Sequence, residues 1–376
     1  MQRILALVLA FGLWATPAAA DKISDCDQET DLDLRIQGCT ALIEKSVQSG
    51  ELAPAYNNRG RAYGEKGQYD RAIEDFNQAI ALDPKYTFAY NNRGTAYAKN
   101  GQYDRAIEDY DQAIAVDPKD AVAYNGRGNA YENKGQYDRA IEDYDRAIAL
   151  DTQYTAAYYS DRGIAYANNG QNDRAIEDFD RAITLDSKYS TAYYNRGIAY
   201  DDKGQYDRAI EDFDQAITLD PKYAVAYNNR GIAYDDKGQY DQAIEDYDQA
   251  IVLDPKDAFA YSNRGNAYAD KGQYDQAIAD DTRSIALLPD NAAYYNRCRH
   301  RALSGDLPNA LDDCNRSLEL NSESAAEYGM RAFVNEKLNN LEAAEKDYRK
   351  ALALSPELKS SVEGLARVLS ALGKTQ

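Results

Sequence analysis

Between Tyr69 and Ile80 the residues Tyr69, Ala72, Ile73, Phe76, Ala79 and Ile80 recur at three- and four-residue spacing, with charged residues between them. Side chains three and four apart share one face of a helix, so this spacing predicts an amphipathic helix. The stretch before it, with Tyr56, Gly60 and Tyr63, makes a shorter stripe of the same kind. Gly67 stands between the two stripes, where it ends the first helix, and Asp70 falls in the first turn of the second, where the helix dipole favours an acid. Asp83-Pro84 then breaks the chain. The phrase as a whole predicts a helical hairpin. Small residues at Gly60, Ala72 and Ala79 let its two helices approach closely, and the aromatics fill the remaining space.

The same phrase returns with Gly94, Gly128, Gly163, Gly197, Gly231 and Gly265 standing where Gly60 stands, at a step of 34 residues except for 35 between Gly128 and Gly163. Two weaker copies carry Cys298 and Ala332 in the glycine slot, which makes nine copies. One hairpin cannot bury its apolar face alone, so the copies are expected to stack into an array with a continuous core. Tyrosine supplies most of the aromatic payload, 33 residues against seven phenylalanines, which predicts many hydroxyls reaching the rim.

A period of this length, with aromatic, glycine, aromatic, alanine, aromatic, alanine and proline in this order, resembles the tetratricopeptide repeat. The resemblance runs over residues 53–356. It departs from the usual pattern in carrying tyrosine for tryptophan at the first aromatic slot and arginine before the glycine. It implies an all-α fold, an α-solenoid in which stacked antiparallel hairpins form a right-handed superhelix with the first helices on its concave surface. The expected organisation is seven regular repeats over 53–290 and two divergent ones over 291–356. A helical cap over 21–52, with one helix from Leu32 to Ser46, precedes them, and a capping helix over 357–376 closes the array.

Residues 1–20 differ from everything after them. Arg3 leads into an apolar run from Ile4 to Trp14, followed by Pro17-Ala18-Ala19-Ala20. A charged start, a short apolar core and a small-residue end predict a secretory signal peptide cleaved after Ala20, and hence an exported protein, periplasmic or secreted, of a Gram-negative bacterium. No later stretch is apolar for long enough to cross a bilayer. The formal net charge of −20 repels phosphate backbones and anionic lipid, which argues against nucleic acid and membrane surfaces and biases the chain toward basic partners.

Two sets of residues recur beyond the apolar pattern. Arginine fills the Arg59 slot and aspartate the Asp75 slot in all nine copies. The two slots are equally distant from the turn at Gly67, so they lie level across the hairpin and are expected to pair. In the first eight copies asparagine precedes the arginine at Asn58, Asn92, Asn195, Asn229, Asn263 and Asn296, with Gly126 and Asp161 as exceptions. Asparagines in this slot resemble the ladder by which the family grips extended peptides, since an amide offers both an acceptor and donors to a peptide backbone. The alternative is that they bond to their own helices or to water. The two exceptions would interrupt such a groove near its middle. Asp201, Asp202, Asp235, Asp236 and Asp270 are expected on the same face, as an acidic groove for basic extended segments or as a solvated acidic surface. The lysine slot of the family's clamp for acidic C-terminal tails holds asparagine, serine or tyrosine instead.

Four cysteines in an exported chain predict disulfides. Cys26 and Cys39 share the N-terminal cap, and Cys298 and Cys314 lie level across one hairpin, so local pairing is favoured over the other connectivities, with packed thiols as the alternative. The array loses regularity nearby: Asp281 replaces an aromatic, Ser284 an alanine, and Arg301 stands where Tyr63 would be, so Asp281 and Arg301 are expected to pair. Arg297, Arg299, His300 and Arg301 form a basic cluster, read either as a docking patch for an acidic partner or as the repair of a packing fault.

No catalytic constellation, metal site or cofactor-binding motif is present: the chain has one histidine, and its glycines punctuate hairpins. The expected function is non-catalytic binding of extended peptide segments of other proteins in a concave groove. The alternative is a rigid scaffold in a cell-envelope complex, binding through its convex face or its ends.

Overall fold

The computed structural model describes residues 25–27, 30–45, 49–151 and 154–374. The leader expected over residues 1–20 lies outside them. The described residues form helices joined by short turns, without strands, in two compact units, Met1–Asp186 and Ser187–Gln376. The first unit opens with Leu32–Glu44, which packs on Ser49–Glu65. Ser49–Glu65 then pairs with Tyr69–Leu82, and three more hairpins follow, ending at Asn172–Leu185. The second unit holds five hairpins, from Ser190–Asp201 with Tyr206–Leu219 to Ala325–Lys337 with Leu341–Leu354, and closes with Lys359–Ala371. The fold is an α-solenoid, as the repeat pattern requires.

The turn within each hairpin follows from one residue. Gly67 has φ +72°, and the N–H of Gln68 reaches back to the carbonyl of Tyr63 at 2.8 Å, which closes the first helix in a left-handed cap. Asn339 takes the same role in the last hairpin at φ 63°. The glycine slot in the first helix has a different cause. A Cβ on Gly231 would lie 2.7 Å from the ring of Tyr247, so the aromatic of the second helix sits directly against the backbone of the first. That ring also packs with Ala267 of the next hairpin, which is how one hairpin's apolar face becomes shared.

The arginine–aspartate pair forms in every hairpin. Arg59 Nε and Nη2 donate to the two oxygens of Asp75 at 2.8 and 2.7 Å. The same two-pronged contact joins Arg93–Asp109, Arg127–Asp143, Arg162–Asp178, Arg196–Asp212, Arg230–Asp246, Arg264–Asp280, Arg297–Asp313 and Arg331–Asp347. The third nitrogen adds a link that the spacing did not predict. Nη1 reaches back to the second helix of the preceding hairpin, as in Arg93 to Asn77, Arg127 to Asp111, Arg230 to Asp214 and Arg264 to Asp248. Each guanidinium also lies over the tyrosine three residues before it, at 5.5 Å for Arg230 over Tyr227.

Both local disulfides are formed, Cys26–Cys39 and Cys298–Cys314, and the described residues hold no free cysteine. The second staples the glycine slot of one helix to the aromatic slot of the other, where hairpins such as that of Gly231 and Tyr247 use a ring.

The expected pairing of Asp281 with Arg301 is not what the structure shows. Asp281 accepts from, or donates to, His300 Nδ1 at 2.7 Å, and both side chains are fully buried. Arg301 instead reaches Asp313 of its own hairpin at 2.6 Å. The reason is helical phase. The residue two after the glycine slot faces the preceding hairpin, whereas the residue three after it faces the second helix of its own. His300 occupies a slot that holds a fully buried alanine elsewhere, at Ala62, Ala130 and Ala267. Its ring fills the volume that Asp281 gives up by replacing an aromatic.

Candidate functional site

Within each unit, the first helices of successive hairpins touch one another, whereas among the described residues the second helices do not. First helices therefore form the inner face of each unit. On each of them the positions six and two before the glycine slot, and one and five after it, fall at i, i+4, i+7 and i+11 and share one side. In the hairpin around Gly231 these are Val225, Asn229, Ile232 and Asp236, about a quarter-turn from the buried Ala226 and Ala233.

The asparagines lie on this side, and their amides reach the neighbouring hairpin. Asn92 donates to Asn57 at 2.8 Å, Asn229 to the hydroxyl of Tyr194 at 2.9 Å, Asn263 to Asn228 at 3.1 Å and Asn296 to Ser262 at 3.1 Å. Asn58 donates to Asp27 of the cap at 3.2 Å. Asn195 is half-buried in Ser190–Asp201, with its amide nitrogen shut off from solvent and without a protein acceptor among the described residues. Neither bonding within one helix nor bonding to water alone accounts for them: one donor of each stitched amide is committed between hairpins. The accepting slot, one residue before the asparagine, was missed as a functional position. Its signal was there, since it holds asparagine, serine or tyrosine in most copies.

The two exceptions have separate causes. A Cβ on Gly126 would lie 2.5 Å from the ring of Tyr110, so a larger residue there would have to push the ring aside, and the space above opens into a cavity of about 490 Å³ beside Val122, Asn129 and Lys99. Asp161 keeps the stitch with its direction reversed, accepting from Asn125 at 2.8 Å. The tyrosine hydroxyls that were expected at the rim are partly satisfied inside the hairpin. Tyr144 donates to Asn129 or Glu132, and Tyr348 to Glu336.

The aspartates lie together on the inner face of the second unit. Asp201 and Asp235 are half-buried, whereas Asp202, Asp236 and Asp270 are exposed. Burial, and then Asp236 and Asp202, push the carboxyl of Asp201 up to about 6. Burial, and then Asp270 and Asp236, do the same to Asp235, also to about 6. The nearby lysines do not neutralise them, because Lys237 and Lys271 turn away to Asp207 and Asp241 on second helices. One oxygen of Asp201, one of Asp235 and the amide oxygen of Asn266 are closed off from solvent and receive no donor from the described residues. The inner face of this unit is thus rich in acceptors and poor in donors.

The sign of the resulting pH effect is fixed. A folded pKa near 6 for Asp235, above its unfolded value of about 3.9, means that folding favours the protonated form. That contribution is fully present below the unfolded pKa and is lost as pH rises through 6. Asp235→Asn is therefore expected to raise the thermal midpoint at pH 7.5 and to leave it unchanged below pH ~4. An equal shift at both pH values would show that the acid is not strained.

The basic cluster divides in the same way. Arg297 and Arg301 serve Asp313, and His300 serves Asp281, all within the packing. Arg299 alone faces the inner side, held by Asp270 at 3.9 Å. Among the described residues no group of three or more His, Cys, Asp or Glu side chains is arranged to hold a metal ion, and no helix is long and apolar enough to cross a membrane.

Family models described as "Tetratricopeptide repeat" match residues 91–155, 190–223, 213–245, 260–290 and 328–358, and one described as "TPR repeat" matches 60–101, 163–203 and 234–272. Among solved structures, the chain is similar to the Cut9-Hcn1 hetero-tetramer of the APC/C, at 15% identity and a TM-score of 0.55, covering 94% of this chain and 88% of that one. It is also similar to a tetratricopeptide repeat protein from Parabacteroides merdae, at 20% identity and a TM-score of 0.53, covering 66% and 98%. A third likeness is to pilF of Pseudomonas aeruginosa, at 18% identity and a TM-score of 0.51, covering 59% and 99%. These likenesses bear on the fold alone. No curated protein matches the chain.

Proposed function

Because the chain belongs to the tetratricopeptide repeat family, a family of interaction modules that are generally non-catalytic, we propose that it holds extended, basic segments of partner proteins along the inner face of its second unit. The observation that carries this reading is the acidity there: exposed Asp202, Asp236 and Asp270 occupy one slot in three consecutive hairpins, beside half-buried Asp201 and Asp235. Lysine, arginine and peptide N–H groups are the chemistry such a surface lacks. Asn229 and Asn263 add amides on the same side, each with a second N–H left over from its stitch.

The two cysteine pairs suggest an oxidising compartment. An exported, periplasmic or secreted location for this binding is part of the proposal.

The test uses Asp202→Asn/Asp236→Asn/Asp270→Asn, which changes exposed carboxylates to near-isosteric amides, leaves the arginine–aspartate pair within each hairpin intact and removes only the looser contact of Asp270 with Arg299. A labelled peptide of repeating Lys-Ala-Ala is expected to bind the native chain at low salt and to lose affinity about tenfold or more in the triple variant. Binding is also expected to weaken as pH falls through 6, where Asp201 and Asp235 take up protons. Equal affinity in both proteins would sink the groove reading and favour a scaffold that binds through its second helices or its ends.

A further inference from the structure

At the last two hairpins of the second unit the inner-face slots change character together, while the architecture of those hairpins does not. Leu303 stands where Asp202, Asp236 and Asp270 stand in the preceding hairpins, and Met330 where Asn229, Asn263 and Asn296 stand. Phe333 takes the slot that holds Ile232 and Asn266. Gly329 replaces the asparagine, serine or tyrosine that accepts the stitch, and Ser361 of the closing helix lies directly behind it, 2.9 Å from where a Cβ would be. The arginine pairs Arg297–Asp313 and Arg331–Asp347 are retained, so these changes were not needed to stack the hairpins. Together they line a cavity of about 480 Å³, open to the inner face and walled by Leu303, Met330, Phe333 and Leu358. Leu303 remains 46% exposed, an apolar side chain in a slot that the three preceding hairpins fill with aspartate.

The geometry points to this cavity as the anchor pocket for one large apolar side chain of the same partner segment whose basic residues lie over the aspartates, so that the segment carries lysine or arginine about three residues from a leucine, methionine or phenylalanine. The inference rests on the basic-segment reading and adds its register. Two arguments fix the occupant. The first is continuity. Asp236, Asp270 and Leu303 are the same slot in three consecutive hairpins, and Asp270 touches Arg299 on the rim of the pocket. Packed helices stand about 10 Å apart and an extended chain rises about 3.3 Å per residue, so one slot corresponds to about three residues. The second is charge. The rim carries both signs, Arg299 in contact with Asp270 at 3.9 Å and the exposed Glu363, so it offers a lysine or arginine no net attraction and leaves the cationic side chains to Asp202 and Asp236. Arg367, also on the rim, is neutralised by a two-pronged contact with Glu336 at 2.8 and 3.0 Å.

The test compares fluorescein-labelled peptides, amidated at the end so that no terminal carboxylate takes part. Each has three Lys-Ala-Ala units flanked, at one end or the other, by leucine or by serine three residues from the nearest lysine. The native chain is expected to bind one of the leucine peptides about tenfold or more tighter than its serine counterpart. Leu303→Asp/Met330→Asn, which installs the residues of the preceding hairpins, is expected to bring the two within about twofold while both still bind. Photoleucine at the same position is expected to crosslink to the helices that wall the pocket, Asn291–Ser304, Ala325–Lys337 and Lys359–Ala371, in the native chain, a readout independent of how the double variant folds. Salt-sensitive binding of leucine and serine peptides with equal affinity would overturn the pocket and leave the acidic groove standing. Crosslinking only to helices that do not wall the pocket would overturn it as well. Binding of neither peptide would remove both.

Discussion

Arg230→Ala is expected to destabilise the second unit by about 3–5 kcal/mol, far more than loss of an exposed ion pair at about 0–1 kcal/mol. Arg230 is held by Asp246 at 2.7 and 2.5 Å, and its third nitrogen by Asp214 of the preceding hairpin. The side chains of Arg230 and Asp246 are 18% and 6% exposed, so the alanine variant leaves a nearly buried carboxylate without its cation. Burial works against the charge on Arg230, but its hydrogen bonds with Asp246 and Asp214 hold its pKa above the ordinary value. Burial dominates at Asp246 and pushes its carboxyl up, which is the cost that the missing arginine would expose. Urea unfolding of Arg230→Ala, Asp246→Ala and the double variant supplies the coupling energy. A coupling near zero would mean that the two charges are solvated independently, whatever their distance. The variant also cuts the link to Asp214, so hydrogen exchange is expected to rise in Tyr206–Leu219 as well as in the mutated hairpin, as nearest-neighbour coupling requires.

The second large effect is expected at the buried histidine. His300→Ala should cost about 3–5 kcal/mol, because Asp281 is left fully buried without a partner and beside a cavity. Asp281→Tyr alone should fail in the opposite way, by driving a ring into the space that His300 fills. Asp281→Tyr/His300→Ala restores the aromatic and alanine that the regular hairpins carry in those two slots, with Gly265 still opposite. The double variant is expected to be as stable as the native chain or more stable by up to about 4 kcal/mol, since well-packed apolar groups often surpass a buried polar pair. Thermal unfolding of the three variants decides the matter. A double variant no better than the worse single one would show that Asp281 and His300 do not share one volume.

The residues that follow from distance to the turn were legible in the sequence. Arg59 with Asp75, and Cys298 with Cys314, are level across a hairpin whose turn is marked by a glycine or its equivalent, and the period fixes the rest. Contacts between hairpins were not legible to the same degree, because they depend on the angle at which one hairpin leans on the next. Thus Asn92 was readable as an inner-face residue, but its bond to Asn57 was not. Asp281 was readable as an intruder in an aromatic slot, but its partner was assigned one residue too late, to Arg301 in place of His300. The aspartates were placed on the correct face. The half-burial of Asp201 and Asp235 was not foreseen, because it arises from first helices crowding together on that side.

The back-reaching nitrogen of each repeat arginine gives every seam in the second unit's regular stretch the same chemistry. Asp214 is offered to Arg230 as Asp248 is offered to Arg264. Excision of residues 224–257 would bring Asp214 opposite Arg264 and leave the joint with the same atoms it had before. At this contact the regular hairpins of the second unit are therefore interchangeable, and the array can be lengthened or shortened there without losing it.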